Sequence, residues 1–342
     1  MNFKYIIRKI TFVFANIFLD RDHILWQKSL LENERFKKRI SAQLKDTSGA
    51  KSKGTNGKRV ICIYDDNIKN GGLADRFKGI MSMYEICKEK GIEFKLLYTH
   101  PFNLNEFLIP NKINWSINSD ELSYDLKTTD ICHISSIAGT SQEATKQKKW
   151  FSKFFENNKS EYHVRTNARI FDNKHFSENF NELFTFAPRL QSSIDKVKKE
   201  LGSNYISTSF RFLNLLGDFN ETFMKETLSP EDKIELIERN LLQLEELHKR
   251  YPDKKILVNS DSSTFLHEAT KFYFVYTIPG NITHIDNNGI NEYATYEKTF
   301  LDFFMIADAE KIFLFKTGKM YRSGYPIIAS LINNRPFELV TF

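Results

Sequence analysis

The sequence predicts an α/β protein with parallel sheets in two Rossmann-like halves. Three observations carry that prediction. Short apolar runs alternate with segments of helical period along most of the chain, the pattern of βαβ units. The alternation restarts once, at "NYISTSFRF". A length of 342 residues suits about two domains rather than one.

In the first half, Arg59–Tyr64 ("RVICIY") reads as a buried strand, Leu73–Lys90 as a helix and Glu93–Tyr98 as a strand. The region 101–130 is irregular. Asp130–Ser135 follows as a short strand, Gln142–Asn157 as a helix and Glu161–Val164 as a strand, with helices over 176–185 and 188–201. The second half opens on "NYISTSFRF". It continues with a helix over 231–250, strand "KKILVNS", helix 263–271, strand "YFVYTI", helix 296–308, strand "KIFLF" and helix 323–333. Alternation of this kind means parallel sheets. The expected organisation is a helical, basic segment over 1–45, a linker over 46–58, one Rossmann-like domain over 59–190 and a second over 191–342, the two facing a cleft. The linker expectation rests on "KDTSGAKSKGTNGK", which has no apolar residue beyond one alanine.

The formal charge of +6 is uneven: residues 1–58 hold 13 Lys and Arg against 5 Asp and Glu, so the rest of the chain is slightly acidic. A uniformly basic nucleic-acid binder is not indicated, and no nucleic-acid partner is expected. The first residues, "MNFKYIIRKITFVFANIFLDRD", carry an apolar core from Ile10 to Leu19, too short to cross a bilayer. Two readings stand: an amphipathic helix over 1–21 lying on a membrane surface with Lys4, Arg8 and Lys9 at the headgroups, or a helix packed on its own domain. The expected location is the cytoplasm, with peripheral contact to the inner face of the cytoplasmic membrane. Cys62, Cys87 and Cys132 form no C-x-x-C pair and read as reduced core thiols.

Ligands of open α/β sheets bind outside the carboxyl ends of strands, so the residues after each strand are the candidates. After the first strand comes "DDNIKNGGLADRFKGI", in which Gly71 and Gly72 remove side chains where the chain turns into a helix. The N–H groups of that first turn can face a ligand. Asp75 is a candidate cap or site carboxylate, and Arg76 either reaches outward or holds an anion. Neither G-x-G-x-x-G nor a phosphate-loop spacing is present. In the second half, Arg211 ends an apolar strand, where a guanidinium suits a phosphate or pairs with a carboxylate such as Asp218. Asp261, with Ser262 and Ser263, stands at the next strand-to-helix junction as a cap or a ligand contact. Asp302 lies among Leu301, Phe303, Phe304 and Met305 and needs a partner. That partner is either a salt bridge or the donor edge of a guanine. Ser323 and Gly324 open the last helix, a phosphate-binding start. The set suits a nucleoside diphosphate held mostly by the second domain.

These residues resemble the GDP-fucose-dependent fucosyltransferases, the superfamily of nodulation, α1,2-, α1,6- and protein O-fucosyltransferases. "NGGLADRFKGI" resembles their "GGLGNR"-type loop. "ISTSFRF" is similar to the strand that carries their His-x-Arg, with Ser209-Phe210-Arg211 in that place. "FLDFFMIADAEKIFLFKTGKMYRSGYPIIA" is similar to their C-terminal block. The resemblance spans roughly 59–335 and sits in the motifs. It implies a GT-B-like fold and inverting transfer of fucose from GDP-fucose to a glycan or lipid-linked oligosaccharide acceptor in surface-polysaccharide synthesis, with no metal cofactor. By the same resemblance Arg211 holds the diphosphate and Asp302 reads guanine. Ser323 binds phosphate, and Gly71, Gly72 and Arg76 form the facing wall. Three positions depart from the family pattern: Ser209 replaces its histidine, Phe212 a second basic residue and Asp75 an asparagine.

Inversion needs a stabilised leaving diphosphate and an acceptor hydroxyl that loses its proton late. Asp75, Asp66 and Asp218 are the candidate bases. The one Asp-x-Asp pair, Asp20 and Asp22, precedes the core, so no metal site is expected. A transferase using another nucleotide sugar, and a non-catalytic member of a glycan-assembly complex, remain as alternatives.

Overall fold

The computed structural model describes residues 21–44, 57–136, 139–219, 226–283, 285 and 292–342. The segment expected to contact membrane and most of the linker lie outside these residues. Among the described residues no helix is long and apolar enough to cross a membrane.

In chain order the elements are α1 (Arg21–Leu44), β1 (Arg59–Tyr64), α2 (Leu73–Lys90), β2 (Glu93–Tyr98), β3 (Leu108–Pro110), β4 (Thr129–Ile134), α3 (Ser141–Phe154), β5 (Glu161–Thr166), α4 (Asn173–Leu183) and β6 (Phe184–Phe186). There follow α5 (Pro188–Leu201), β7 (Tyr205–Phe210), α6 (Pro230–Arg250), β8 (Lys255–Ser260), α7 (Ser263–Ala269), β9 (Val275–Tyr276), α8 (Tyr293–Asp308), β10 (Ile312–Lys316), α9 (Tyr325–Ile332) and β11 (Phe337–Thr341). The chain divides into two units. The first contains the described residues up to Gly71 with Asp75–Thr99 and Ile113–Asp172. The second contains Gly72–Ala74, His100–Lys112 and the described residues from Asn173 to Phe342.

The first unit carries a parallel sheet of order β2-β1-β5-β4. β1 is buried at every position, which explains its unbroken apolar run. Its edge strand β4 is covered by α1. Asn33 Oδ1 accepts from the His133 N–H at 2.8 Å, and Lys37 reaches Asp130 at 3.1 Å. Ser29 Oγ donates to the Ser135 carbonyl at 3.5 Å. Residues four apart on α1 thus meet residues two or three apart on β4. A helical turn of roughly 5.4–6 Å nearly matches two strand residues, so α1 can run along the edge and cap it.

His133 tests this packing by its titration. Burial first, then the Arg165 and Arg39 guanidiniums, push its imidazole down from 6.5 to about 4. As pH falls from 6.5 towards 4 the unfolded chain binds a proton that the folded chain refuses, so stability falls across that window. His163, lowered by burial against the pull of Glu161, adds to the same slope. The urea midpoint is expected to drop over this range, and less so in His133→Gln. A flat midpoint would show that the folded protein tolerates the charged ring.

The second unit carries a parallel sheet of order β11-β10-β7-β8-β9, with β3 and β6 paired antiparallel beside it. One face of the sheet buries Ile206, Phe210, Ile256 and Val258 in a core shared with Leu244, Leu247 and Phe265 of α6 and α7. On the other face the Tyr205 hydroxyl donates to the Met305 carbonyl of α8 at 2.7 Å.

Several elements differ from the sequence expectation, among them β3, which lies within the stretch expected to be irregular. The helix expected over 176–185 ends at Leu183, and Phe184–Phe186 turns into β6 to pair with β3. The strand "YFVYTI" shrinks to two residues at the sheet edge, where Val275 and Tyr276 alone find ladder partners. β11 was not anticipated, and it completes the opposite edge by pairing with β10.

Candidate functional site

Strand order locates the crevice in each sheet. In the second unit the chain moves from β7 outward through β8 and β9, then returns to the other side of β7 with β10. The switch point is therefore between the carboxyl ends of β7 and β10, the place where open α/β sheets hold ligands. Arg211 leaves β7 there. The segment after β10 is tied to it, because the Tyr321 N–H donates to the Arg211 carbonyl at 2.9 Å.

The Arg211 side chain is 22 % exposed. One edge is held by Asp261, Nη1 to Oδ2 at 3.3 Å, and its plane lies over the Phe219 ring at 4.6 Å. The expected partner Asp218 is not the one found. Asp218 instead accepts from the Ser262 hydroxyl at 2.8 Å, the Ser263 hydroxyl at 3.2 Å and the Thr264 N–H at 2.8 Å. It caps α7 from outside that helix. Burial would raise its pKa, but the Thr264 N–H and Ser262 hydroxyl win, and its carboxyl sits below the usual value. A carboxylate so occupied is a poor proton acceptor.

Asp261 is a brace. Its two oxygens accept the Phe212 N–H at 2.8 Å and the Leu213 N–H at 2.7 Å. Burial lifts its pKa, opposed first by Arg211. The turn it holds contains Leu213 at φ 55°, a left-handed conformation that a branched side chain resists. That strain sets the direction in which the chain leaves β7, directly after Arg211. Periodicity gives no sign of such a residue.

Ser209 is buried on β7 opposite Asn259 of β8, and its Oγ has no hydrogen-bond partner among the described residues. Asn259 donates to Asp302. Asp302 is also ion-paired to Lys298 one turn back at 3.0 Å, and Lys298 donates to the Ile278 carbonyl at 2.7 Å. Both residues are nearly fully buried. Burial raises the Asp302 pKa against the opposing pull of Lys298. Of the two partners expected for Asp302, the structure provides the salt bridge. Lys298 was legible as the basic residue at i−4.

Ser323 and Gly324 precede α9, half-buried. The Ser323 hydroxyl already accepts the Tyr325 N–H at 3.2 Å, and Pro326 has no N–H to offer. This helix start therefore has fewer free donors than its sequence suggests. Arg322 beside it is exposed and has no acidic partner among the described residues. A cavity of about 220 Å³ elsewhere in this unit, lined by Phe180, Phe184, Phe304, Lys198 and Asp308, contains none of the expected site residues.

In the first unit the glycine loop follows β1. Gly71 has φ 78°, and a Cβ there would stand 2.6 Å from the Asp75 carboxylate. At Gly72 a Cβ would meet nothing within 4 Å. Asp75 pairs with Lys78. Of the two readings of Arg76, the outward one is not found. Arg76 is 1 % exposed, donates from Nε to the Gly71 carbonyl at 3.0 Å and lies over the Tyr98 ring at 5.1 Å. It supports the loop from beneath and does not face solvent. Beside it, at the carboxyl ends of β1 and β5, Asp65 and Arg165 form a two-pronged ion pair.

Gly79 was quoted in the motif and given no role. A Cβ there would lie 1.9 Å from the Thr166 carbonyl and 2.4 Å from the Tyr64 hydroxyl, so α2 touches the sheet at this point. Its place seven residues after Gly72, on the same helical face, was the available signal. Gly79→Ala is expected to cost about 3 kcal/mol or more, since backbone cannot yield as a side chain can. An unchanged urea midpoint would show that α2 can lift from the sheet.

No protein-family model matches the sequence, and no curated protein matches it either. Solved structures do match. NodZ α1,6-fucosyltransferase soaked with GDP-fucose superposes with a TM-score of 0.51 at 12% identity, over 81% of this chain and 93% of that one. The chain shares the fold of that fucosyltransferase. A mutant of FUT1 from Arabidopsis thaliana in complex with GDP superposes with a TM-score of 0.50 at 12% identity, over 92% of this chain and 79% of that one. Among the described residues no group of three or more His, Cys, Asp and Glu side chains gathers as a metal site would require.

Proposed function

We propose that this protein is a glycosyltransferase that uses a nucleotide sugar, GDP-fucose first among the candidates, to modify a glycan. The observation that carries the reading is Arg211. It stands at the switch point of the second sheet, braced by Asp261 and beside a strained turn, in a fold shared with an enzyme soaked with GDP-fucose.

The chemistry asks the site for one main thing. The acceptor oxygen attacks the anomeric carbon, the bond from that carbon to the diphosphate oxygen breaks, and the diphosphate leaves with the electron pair. Fixed positive charge at that oxygen lowers the barrier. Arg211 supplies it with a fixed guanidinium charge at the switch point, and Arg322 and the Ser323 hydroxyl are the further candidates. The acceptor proton needs a base. Asp218 is committed to α7, which leaves Asp75 and Asp66, and the kinetics of Asp75→Asn test the first.

One observation favours a second reading, a different nucleotide sugar. Asp302 already carries Lys298 and Asn259, so a guanine would have to share or displace them. Thermal shift with GDP and UDP separates the readings. GDP is expected to raise the melting temperature and UDP to leave it unchanged. An equal shift by both would remove the guanine assignment, and no shift by any nucleotide would remove the transferase reading. The location expected from the sequence, cytoplasmic and peripheral to the membrane, is part of the same proposal. So is a glycan or lipid-linked acceptor.

A further inference from the structure

We propose that the outward face of α1 and α3 is a docking surface for an anionic lipid bilayer. α3 turns Glu143, Gln147, Phe151 and Phe154 inward. That leaves Lys149 and Lys153 exposed on the opposite side, with Trp150 half-buried at the edge of this face. α1 buries Asn33, Phe36 and Ile40. Its outer face shows Arg35 and Lys38, with Leu31 52% exposed. The two helices adjoin: the Lys37 ammonium lies over the Phe154 ring at 5.2 Å, and Trp150 stacks on that same ring at 5.0 Å.

Positive charge exceeds negative on this face, where Glu34 is exposed on α1 one turn before Lys38. Neighbouring cations have carboxylate partners: Lys28 with Glu32, Lys37 with Asp130, Lys148 with Glu89. Arg35, Lys38, Lys149 and Lys153 have none among the described residues. Four cations beside the carboxylate of Glu34 on adjoining helices leave a local positive field in a chain whose remainder beyond residue 58 is slightly acidic. Cations alone would suit nucleic acid as well. An exposed leucine among them and a tryptophan at their edge suit the headgroup layer, where an indole ring and an aliphatic chain are buried while the ammonium groups meet phosphates. Residues 1–20, which lead into α1 in sequence, have the same character, with apolar residues beside Lys4, Arg8 and Lys9. The surface is independent of the donor and does not rest on the transferase reading.

The test is co-sedimentation of the full chain with vesicles of phosphatidylcholine alone or mixed with phosphatidylglycerol, at rising salt. Binding to the anionic vesicles only, weakening with salt, is expected. Each cation near an anionic leaflet adds several-fold to partitioning. The variant Arg35→Glu, Lys38→Glu, Lys149→Glu, Lys153→Glu is therefore expected to lose about a hundredfold or more while it retains residues 1–20 and its thermal unfolding. If that variant does not fold, the pair Lys149→Gln, Lys153→Gln decides, with a loss of about tenfold. Wild-type partitioning by the folded variant would overturn the proposal. So would failure of the unaltered protein to bind anionic vesicles, or tighter binding to a DNA duplex than to them.

Discussion

Arg211→Ala is expected to slow transfer about a hundredfold while the protein stays folded. The guanidinium follows β7 at the switch point, where Asp261 holds its Nη1 at 3.3 Å. A planar guanidinium at that place suits phosphate oxygens as charge builds on the leaving group. Removing a charge-assisted contact of that kind costs about 3 kcal/mol in the transition state, roughly a hundredfold in rate. Lysine is not expected to rescue it, because a point charge does not reproduce the planar fork. Stability should change less than rate. When Arg211 goes, Asp261 keeps the N–H groups of Phe212 and Leu213, so its charge is not left bare. Measurements of kcat, GDP affinity and melting temperature separate the outcomes. A large melting loss in Arg211→Ala matched by Asp261→Ala would mean a purely structural pair. A folded Arg211→Ala with normal GDP affinity and turnover would remove Arg211 from the mechanism.

Lys298→Met is expected to destabilise the protein by about 3–5 kcal/mol, because it strands the Asp302 charge in an apolar helix interface. The double variant Lys298→Met, Asp302→Leu should recover most of that loss, since an apolar pair of similar volume replaces a buried ion pair at little cost. Urea unfolding of the two variants measures this. The double variant then asks a functional question without the complication of a misfolded core. If Asp302 reads the base, the folded double variant loses its preference for GDP over UDP. If Asp302 is only the partner of Lys298, the preference survives. A single Lys298→Met variant as stable as the unaltered protein would show that Asp302 is protonated in the folded state, the direction in which burial pushes it.

Alternation, apolar runs and turn residues made the parallel sheets legible, and several boundaries agree closely, as for β1, α2, β2 and α5. These segments carry their information locally: an unbroken apolar strand, or a helix with one apolar face. β11 and β6 were missed because a short edge strand depends on a partner distant in sequence, here β10 and β3. β9 was overextended for the same reason, since an apolar run becomes a strand only as far as a neighbour pairs with it.

The site divides along the same line. Residue type and position after a strand were enough to single out Arg211, Asp218, Asp261, Asp302, Ser323 and the glycines Gly71 and Gly72. Partner choice was not available there. Arg211 meets Asp261 rather than Asp218, Asp218 caps α7, and Arg76 turns beneath its loop instead of outward. Gly79 illustrates the boundary between the two kinds of knowledge. The sequence by itself determined where a glycine stands on α2, together with the order of strands and helices and the chemistry available at their ends. Only the tertiary structure decided that the Thr166 carbonyl lies where its Cβ would be, and which carboxylate each cation reaches. Such choices depend on ångström distances between segments far apart in the chain, and no local pattern encodes them.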